Sequence, residues 1–308
     1  MTEQEPQRRR RRSRFVRTNG DLPGLRPGPR DAELLLYIYD FRFLTAAHLV
    51  ALTGGDKTSV EKRLFKLWQH EYVYRRWDVS VDPLRRGPAI YQIDKKGAEF
   101  LAQSTGKNPS AFDWSARRNE VKLPFVQHAL MVAHIRTLFT LAIRQRPELG
   151  LLFWRHDQET SDRVPIDEDD PIYNGVRAET VSIVPDGFFA LRLPNGTGYC
   201  MLEADRSTMD HKDFLRKLRA YFLWWRSGGH TERFGIKRFI VLTVTLTKER
   251  AKNLFELSRQ ADDKKKGCGL FWFTTIDNFR LDIPEGILKD NIWVTWNDGQ
   301  PVRVALSK

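Results

Sequence analysis

The apolar residues in the first third of the chain repeat at helical spacing in short segments that end in turns. Asp31, a helix-capping residue type, precedes an apolar repeat over residues 34–39, which predicts a first amphipathic helix. Thr45 is a second capping residue, and the pair Gly54-Gly55 ends the segment that follows it. Two short helices separated by a turn are therefore expected at the start of the folded chain.

A third helix is predicted from about residue 57, with one apolar face and one basic face. The apolar stripe consists of Val60, Leu64, Leu67 and Trp68. The basic residues that lie mostly away from this stripe, and that we expect to contact DNA, are Lys57, Lys62, Arg63 and Lys66. This pattern is typical of the recognition helix of a helix-turn-helix protein.

Two β-rich runs follow the third helix and flank a basic bend that contains Arg85 and Arg86. The runs predict a hairpin whose basic tip contacts DNA. A closing helix is predicted from residue 95. Together these elements predict a winged helix-turn-helix domain over residues 31–104, and the alternative is a generic helical domain with a hairpin.

The remainder of the chain predicts a second domain in which strands and helices alternate. Residues 105–120 are polar and aperiodic, which predicts a linker, and a long apolar helix follows from Pro124. Several β-like runs come next, and helical patterns over residues 211–226 and 247–261 separate the later ones. We therefore predict an α/β (α+β) fold over residues 121–308, with a mixed sheet flanked by helices.

Charge points to nucleic acid as the partner. The 308 residues include 51 Lys and Arg against 39 Asp and Glu, a formal net charge of +12. This balance favours a polyanion, and double-stranded DNA is the partner that fits the predicted recognition helix. Residues 1–30 contain many arginines and almost no apolar residues. They predict a disordered basic arm that contacts DNA phosphates or the minor groove, and a solvated tail is the alternative.

Cysteine and hydropathy patterns narrow the class of protein further. Cys200 and Cys268 lie outside any CxxC or Cys/His cluster, so a disulfide scaffold or a structural zinc site has no support in the sequence. No uninterrupted apolar run approaches the roughly 18 residues of a membrane span. The N-terminal arginines are not followed by an apolar signal core. We therefore expect a cytoplasmic chain that does not contact a membrane.

Carboxylates on two neighbouring β-like runs are the main candidates for chemistry. Asp186 lies on one run and Glu203 and Asp205 on the next, joined by a turn at residues 193–196. Because strand side chains alternate, Glu203 and Asp205 share one face and can converge with Asp186. Convergent oxygen ligands suit Mg²⁺, which assists phosphodiester hydrolysis in DNA nucleases. Salt-bridged surface acids are the alternative interpretation.

The same segments resemble the replication-relaxation family of plasmids and integrative elements. The resemblance includes the predicted winged helix, a helix with His128-Ala129-Leu130-Met131-Val132, and a PDG sequence at Asp186. Its most specific part is Glu203-Ala204-Asp205-Arg206-Ser207-Thr208, which is similar to the family's Glu-x-Asp-Arg-Gly-Thr, with Ser207 in place of the Gly. Lys217 and Tyr221 follow on the next predicted helix.

The resemblance implies that the second domain has the layout of PD-(D/E)xK (restriction-endonuclease-like) enzymes, whose signature places Asp on one strand and Glu-x-Lys on the next. Asp186 and Glu203 match this signature. Asp205 stands where the signature has lysine, so the phosphate-facing cation would be Lys217, with Arg206 as second choice. The implied catalytic set is Asp186, Glu203, Asp205 and Lys217, with the three carboxylates as Mg²⁺ ligands.

Two kinds of residue near this site are assigned structural roles. A lone histidine on an apolar helix, such as His128, usually packs or makes one buried hydrogen bond. Aromatic residues at helical spacing belong to a core more often than they stack on bases, with dimerisation as the next alternative. The aromatic residues concerned are Tyr221, Phe222, Trp224 and Trp225.

The sequence therefore predicts a DNA-binding accessory protein of a mobile element that acts in plasmid replication or mobilisation. Its partners would be a second copy of itself or other replication or mobilisation proteins. Whether it is also a Mg²⁺-dependent endonuclease of the PD-(D/E)xK type stays open, because the signature lysine is displaced. The alternative function is a winged-helix transcriptional regulator whose nuclease-like domain is inactive and only dimerises or binds a partner.

Overall fold

Helices and short strands alternate along the whole described part of the chain. The computed structural model describes residues 16–17, 22–77, 87–106, 108, 112, 114–115, 119–174 and 179–307. It divides into two units, Met1–Gln127 and His128–Lys308. Arg85, Arg86 and residues 1–15 and 18–21 of the arginine-rich arm lie outside the described residues. Arg17 of the arm is described, and it donates hydrogen bonds to the carbonyl oxygens of Trp68 and Val73 and to the carboxylate of Asp94, so it is held within the first unit rather than in a disordered arm. The predicted roles of Arg85, Arg86 and the rest of the arm, like the predicted domain limits, stay predictions.

The first unit packs helices against a small antiparallel sheet. Its elements are α1 (Pro29–Phe41), β1 (Leu44–Thr45), α2 (Ala46–Thr53), α3 (Lys57–Gln69), β2 (Val73–Arg76), β3 (Ile90–Ile93) and α4 (Lys95–Thr105). The strand order is β1-β3-β2, and β3 pairs antiparallel with both neighbours. The predicted order of three helices, two paired strands and a closing helix is therefore present.

Local capping matches the prediction at α2 and differs from it at α1. The side chain of Thr45 accepts a hydrogen bond from the backbone N–H of His48 and caps α2 as predicted. α1 begins at Pro29, because proline supplies a helical φ and needs no donor at the first position. Asp31 is therefore the third helical residue, and its carboxylate accepts from the N–H of Gly28 at 2.7 Å.

The apolar stripe of α3 forms part of the core of the first unit. Val60, Leu64, Leu67 and Trp68 are all at least 94% buried, as the helical spacing predicts. Residues of α1 such as Leu35 and Ile38 are also fully buried, and α3 packs against α2. The polar face of α3 consequently points away from the core.

A long helix and a seven-stranded mixed sheet dominate the second unit. The elements are α5 (Leu123–Arg144, which begins in the first unit), β4 (Gly150–Arg155), β5 (Asp162–Pro165), β6 (Thr180–Ile183), β7 (Gly187–Leu193), β8 (Gly196–Asp205), α6 (His211–Ser227), α7 (Gly229–Phe234), β9 (Ile240–Thr245), α8 (Lys248–Leu257), β10 (Phe271–Thr275), α9 (Gly286–Lys289), β11 (Trp293–Asn297) and β12 (Gln300–Val304). Among the described strands the large sheet has the order β12-β11-β10-β9-β8-β7-β4. β8, β9 and β10 are parallel to one another, and the remaining pairings are antiparallel.

The two faces of the large sheet belong to separate apolar cores. Met201 of β8 packs in one core with Phe214 and Tyr221 of α6. Leu202, the next residue along β8, packs in the other core with Ile135 of α5. The alternation predicted for this strand is therefore present, and it directs the side chains of odd-numbered residues such as Glu203 toward α6.

The segment 180–193, which reads as one β-like run, forms two strands in two different sheets. β6 pairs with β5 in a separate two-stranded sheet, whereas β7 pairs with β4 and β8. Pro185 lies at the break, where it lacks the N–H that a continuous ladder requires. The sequence patterns above do not include the antiparallel hairpin of β11 and β12 near the C-terminus.

Helix α5 is the one described helix long and apolar enough, by length and composition alone, to cross a membrane. Its residues Ile135, Leu138 and Phe139 are fully buried against the sheet. A core helix of a soluble protein meets the same criterion of length and hydropathy, so the packing of α5 accounts for its apolar composition.

Buried His134 on α5 predicts a pH dependence of stability. Its Nε2 lies 2.8 Å from the carbonyl oxygen of Phe279, and burial lowers the pKa of His134 below 6.5. The unfolded chain therefore binds the proton more readily, and this residue contributes less stability as pH falls through about 6.5 toward the folded-state pKa. We expect wild type to lose free energy of unfolding relative to His134→Gln between about pH 8 and about pH 5.5. Parallel curves from urea unfolding of the two proteins would contradict this.

Candidate functional site

The β7–β8 hairpin places the predicted carboxylates on adjacent strands. Leu193 pairs with Gly196 across a two-residue turn, and Gly187 pairs with Leu202. Asp186 directly precedes β7 and its N–H donates to the carbonyl oxygen of Leu202 at 2.9 Å. The hairpin that the turn sequence predicts is therefore present, and Asp186 lies beside the last part of β8.

Asp186 is partly exposed and is held by two donors. Its Oδ2 accepts the backbone N–H of Ala204 at 2.7 Å. Its Oδ1 lies 2.9 Å from Nε2 of His128, which reaches it from α5. This hydrogen bond is the main cause that raises the pKa of His128. The backbone and the imidazole thus fix the orientation of the Asp186 carboxylate.

Glu203 is almost completely buried, and both of its oxygens have partners on α6. The hydroxyl of Tyr221 donates to Oε1 at 2.5 Å, and the ammonium of Lys217 donates to Oε2. Lys217 and Tyr221 are four residues apart, so one face of α6 presents both side chains. Tyr221 is fully buried, whereas Lys217 keeps about a quarter of its side chain exposed.

These side chains form one electrostatic cluster. Burial raises the pKa of Glu203 to about 7, the charge of Lys217 opposes this, and the charge of Asp186 adds to it. Burial alone would lower the pKa of Lys217, but Glu203 and Asp186 outweigh burial and the pKa is raised. Lys217 therefore carries its charge beside two carboxylates, one of which, Glu203, is costly to ionise without a nearby cation.

Asp205 forms an ion pair with Arg250 rather than converging with Asp186 and Glu203 as predicted. Arg250 of α8 donates from Nε to Oδ2 at 2.9 Å and from Nη2 to Oδ1 at 3.2 Å. Arg250 also donates to the carbonyl oxygen of Met209, so the ion pair ties α8 to the loop after β8. Asp205 lies near the position predicted from strand alternation, but an arginine more than 40 residues further along the chain occupies both of its oxygens.

Two carboxylates remain as potential metal ligands. Within the described ranges, no group of three or more His, Cys, Asp or Glu side chains is arranged to hold a metal ion. Mg²⁺ is commonly held by one or two carboxylates, with water and substrate phosphate completing its coordination. Asp186 and Glu203 are therefore a pair of hard oxygen donors of the type that Mg²⁺ takes, and each of their oxygens accepts a hydrogen bond within the protein. Asp205 differs from them in that a single guanidinium, that of Arg250, occupies both of its oxygens.

Sequence reasoning missed the parts that His128 and Tyr221 play in this cluster. His128 does make the single hydrogen bond expected for a lone histidine, but its partner is the candidate catalytic Asp186. Tyr221 is a core residue as predicted, and its hydroxyl also holds Glu203. Phe222 and Trp224 are buried, whereas Trp225 is 44% exposed. The resemblance to the replication-relaxation family includes His128, Lys217 and Tyr221, and the four-residue spacing of Lys217 and Tyr221 predicts that they share one face of a helix.

The predicted DNA-contacting residues of α3 fall into two groups. Lys57, Lys62 and Lys66 are exposed. Arg63 instead donates to both oxygens of Asp31 on α1, and this hydrogen bonding raises its pKa. The three lysines are therefore available to a partner, whereas Arg63 is engaged within the unit.

A comparison with known families identifies this chain. Residues 35–238 match the family model described as replication-relaxation. No curated protein and no solved structure is similar enough to match. The matched segment covers about two thirds of the chain, from α1 to the residues before β9, and includes the exposed face of α3 and the Asp186–Glu203–Lys217 cluster. The chain therefore belongs to the replication-relaxation family, which indicates a role in the replication or mobilisation of plasmids or other mobile elements.

Proposed function

We propose that this protein binds double-stranded DNA through its first unit and cleaves DNA with the help of Mg²⁺ at Asp186, Glu203 and Lys217. The observation that carries the proposal is the meeting of a partly exposed Asp186, a buried Glu203 and a charged Lys217 at one end of the β7–β8 hairpin. Asp on one strand and Glu on the next is the signature layout of PD-(D/E)xK nucleases. The signature has a lysine at the position of Asp205, and Lys217 on α6 supplies this cation instead.

Each residue of the cluster has a separate role in the proposed reaction. Mg²⁺, when bound, would stabilise negative charge on the phosphate and activate water. Asp186 and Glu203 would hold the ion, and Tyr221 fixes the orientation of Glu203 through its hydrogen bond. The ammonium of Lys217 lies where it can also attract a phosphate. His128 orients Asp186.

The first unit supports the DNA-binding half of the proposal. Its helices and paired strands follow the order of a winged helix-turn-helix domain, in which the third helix enters the major groove. α3 is that third helix, and the side chains of Lys57, Lys62 and Lys66 lie on its exposed face. Exposed lysines at this position provide phosphate contacts for duplex DNA.

The decisive experiment is incubation of the purified full-length chain with supercoiled plasmid in the presence of Mg²⁺, Mn²⁺ or a chelator. We expect conversion to the nicked or linear form with either metal and none with the chelator. Calorimetry on the same preparation should detect metal binding that Asp186→Asn removes. Absence of cleavage on supercoiled, linear and branched DNA, together with absence of such binding, would refute the nuclease proposal.

A transcriptional regulator with an inactive second unit is the other candidate function. It is favoured by the observation that each oxygen of Asp186, Glu203 and Asp205 already has a partner within the protein. In this candidate function the three carboxylates hold strands and helices together and take no part in chemistry. Footprinting on a palindromic site, with DNA of unchanged length after incubation with metal, would support this candidate.

The Arg250 ion pair predicts that Asp205 is a structural residue. We expect Asp205→Asn to lower the free energy of unfolding by about 1–3 kcal/mol, because a buried charge-assisted pair is weakened. Plasmid nicking by the folded variant should stay within about twofold of wild type, since Arg250 occupies both oxygens of Asp205. Urea unfolding and initial nicking rates measure the two effects. A variant that is as stable as wild type but inactive would place Asp205 among the metal ligands.

A further inference from the structure

A groove of about 770 Å³ lies in the first unit beside the exposed face of α3. α3 contributes one wall, with Glu61, Lys62, Phe65 and Lys66. The start of α2 and the strands β2 and β3 form the rest, with Trp77 directly after β2. Aromatic and charged side chains therefore line the same groove.

One lining residue of the groove, Arg75, has a buried guanidinium packed against aromatic rings. Arg75 is 91% buried, and its Cζ lies 3.6 Å from the centre of the Trp68 ring. The rings of Trp77 and Phe65 lie 4.9 and 5.4 Å from the same atom. Burial lowers the pKa of Arg75, and Tyr91 opposes this shift. Phe65 and Trp77 line the groove together with Arg75, so aromatic rings held by a guanidinium are present in the groove before any ligand binds.

The charges around this groove select the class of ligand. Lys62 and Lys66 are exposed on the α3 side of the groove, where they can bind phosphates. Glu61 lies on the same wall and can accept a hydrogen bond from the amino group of a base. Aromatic lining residues together with exposed lysines are the combination that binds single-stranded nucleic acid, because each base offers a flat face and each phosphate a charge.

We propose that this groove receives an unpaired nucleobase of the DNA that the first unit binds. The base would stack on Phe65 and Trp77, and Lys62 and Lys66 would hold the neighbouring phosphates. A base inside an intact duplex has both faces covered by its neighbours, so only an unpaired or extruded base can enter. The inference rests on the proposed DNA binding and narrows its substrate to DNA that contains unpaired bases.

The test compares three oligonucleotides by fluorescence anisotropy with the full-length chain. They are a perfect duplex, the same duplex with one bulged thymidine, and the same duplex with one bulged abasic nucleotide. Stacking of one base predicts that the thymidine bulge binds about 5- to 100-fold more tightly than the other two. The abasic bulge has the same flexible backbone without a base, so it separates base insertion from backbone bending.

Variants of the groove should remove this preference. We expect Phe65→Ala and Trp77→Ala to bring the affinity ratio between the thymidine and abasic bulges to about one. Tyr74→Ala is the matched control, because Tyr74 is an exposed aromatic residue on β2 whose side chain points to the opposite face from Arg75. If Phe65→Ala fails to fold by thermal melting, Phe65→Leu keeps the apolar volume and should still lose the preference.

The possible outcomes separate this inference from the proposed function. Equal affinity for all three duplexes supports duplex binding and refutes the proposal that the groove binds a base. This result is expected if another part of the chain or a peptide fills the groove. Equal loss of preference in Tyr74→Ala and Phe65→Ala also overturns it. Absence of binding to every oligonucleotide overturns both the inference and the DNA-binding proposal. Binding of the thymidine bulge alone supports the groove and contradicts recognition of intact duplex.

Discussion

Asp186→Asn and Glu203→Gln should each abolish Mg²⁺-dependent nicking of supercoiled plasmid, a loss of about 10³-fold or more. Asparagine keeps the size of Asp186 and an oxygen for the N–H of Ala204, but removes the negative charge. Glutamine likewise keeps an oxygen for the hydroxyl of Tyr221. Both variants should therefore fold, but each lacks one of the two charged metal ligands. Initial nicking rates and metal titration by calorimetry measure the effect.

Two further variants make this result specific to the cluster. Asp213→Asn is the matched control, because Asp213 is an exposed acid on α6 that pairs only weakly with Arg216 at 3.3 Å. Its nicking rate should equal that of wild type. Lys217→Ala should slow nicking while calorimetry still detects the metal. If Asp186→Asn retains nicking, or loses DNA affinity in proportion to nicking, Asp186 is not a metal ligand.

The β7–β8 hairpin shows how far a sequence can locate a site. The turn at residues 193–196 and the alternation of β8 are local features, so they fix which residues lie opposite one another. These two local features alone predict that Asp186 lies close to the end of β8. They also predict that the side chain of Glu203 points toward a helix. The choice of Lys217 depended on the resemblance to the replication-relaxation family, and the structure places its ammonium on Glu203.

Long-range contacts explain what the sequence could not provide. Asp205 appeared equivalent to Glu203 because both share a face of one strand, but Arg250 approaches only after the chain has formed α6 and β9. His128 meets Asp186 from a helix 58 residues earlier. No local periodicity encodes such pairs, because they depend on strand order in the sheet and on how helices pack across it.

Arg63 illustrates the same limit in the first unit. Helical spacing correctly placed it off the apolar stripe of α3, and this position alone made it equivalent to Lys62 and Lys66. The structure separates them, because Asp31 on α1 accepts both hydrogen bonds of its guanidinium. A residue on the polar face of a helix can therefore serve a neighbouring helix rather than a ligand. The distinction yields a prediction that the sequence alone could not make.

Lys62→Ala combined with Lys66→Ala should weaken binding of perfect duplex DNA about 10- to 100-fold, through the loss of phosphate contacts. Each lost contact should also reduce the slope of log affinity against log salt by about one. Arg63→Ala should leave this slope unchanged and instead lower the free energy of unfolding, because the buried carboxylate of Asp31 loses its cation. Anisotropy titrations between about 50 and about 200 mM salt, with urea unfolding of each variant, separate the two effects.

Lys95→Ala, compared with Lys62→Ala and Lys66→Ala as separate single variants, is the control for charge alone, because Lys95 is an exposed lysine on α4 of the same unit and each substitution removes one charge. Non-specific attraction to the overall positive charge would make Lys95→Ala as damaging as either single lysine substitution on α3. Recognition through α3 requires that it leave both affinity and salt slope close to those of wild type. A salt slope reduced by Arg63→Ala would mean that the Asp31 ion pair opens when DNA binds. Because only a phosphate contact releases counterions, the salt slope, rather than affinity alone, decides which side chains of α3 contact the DNA backbone.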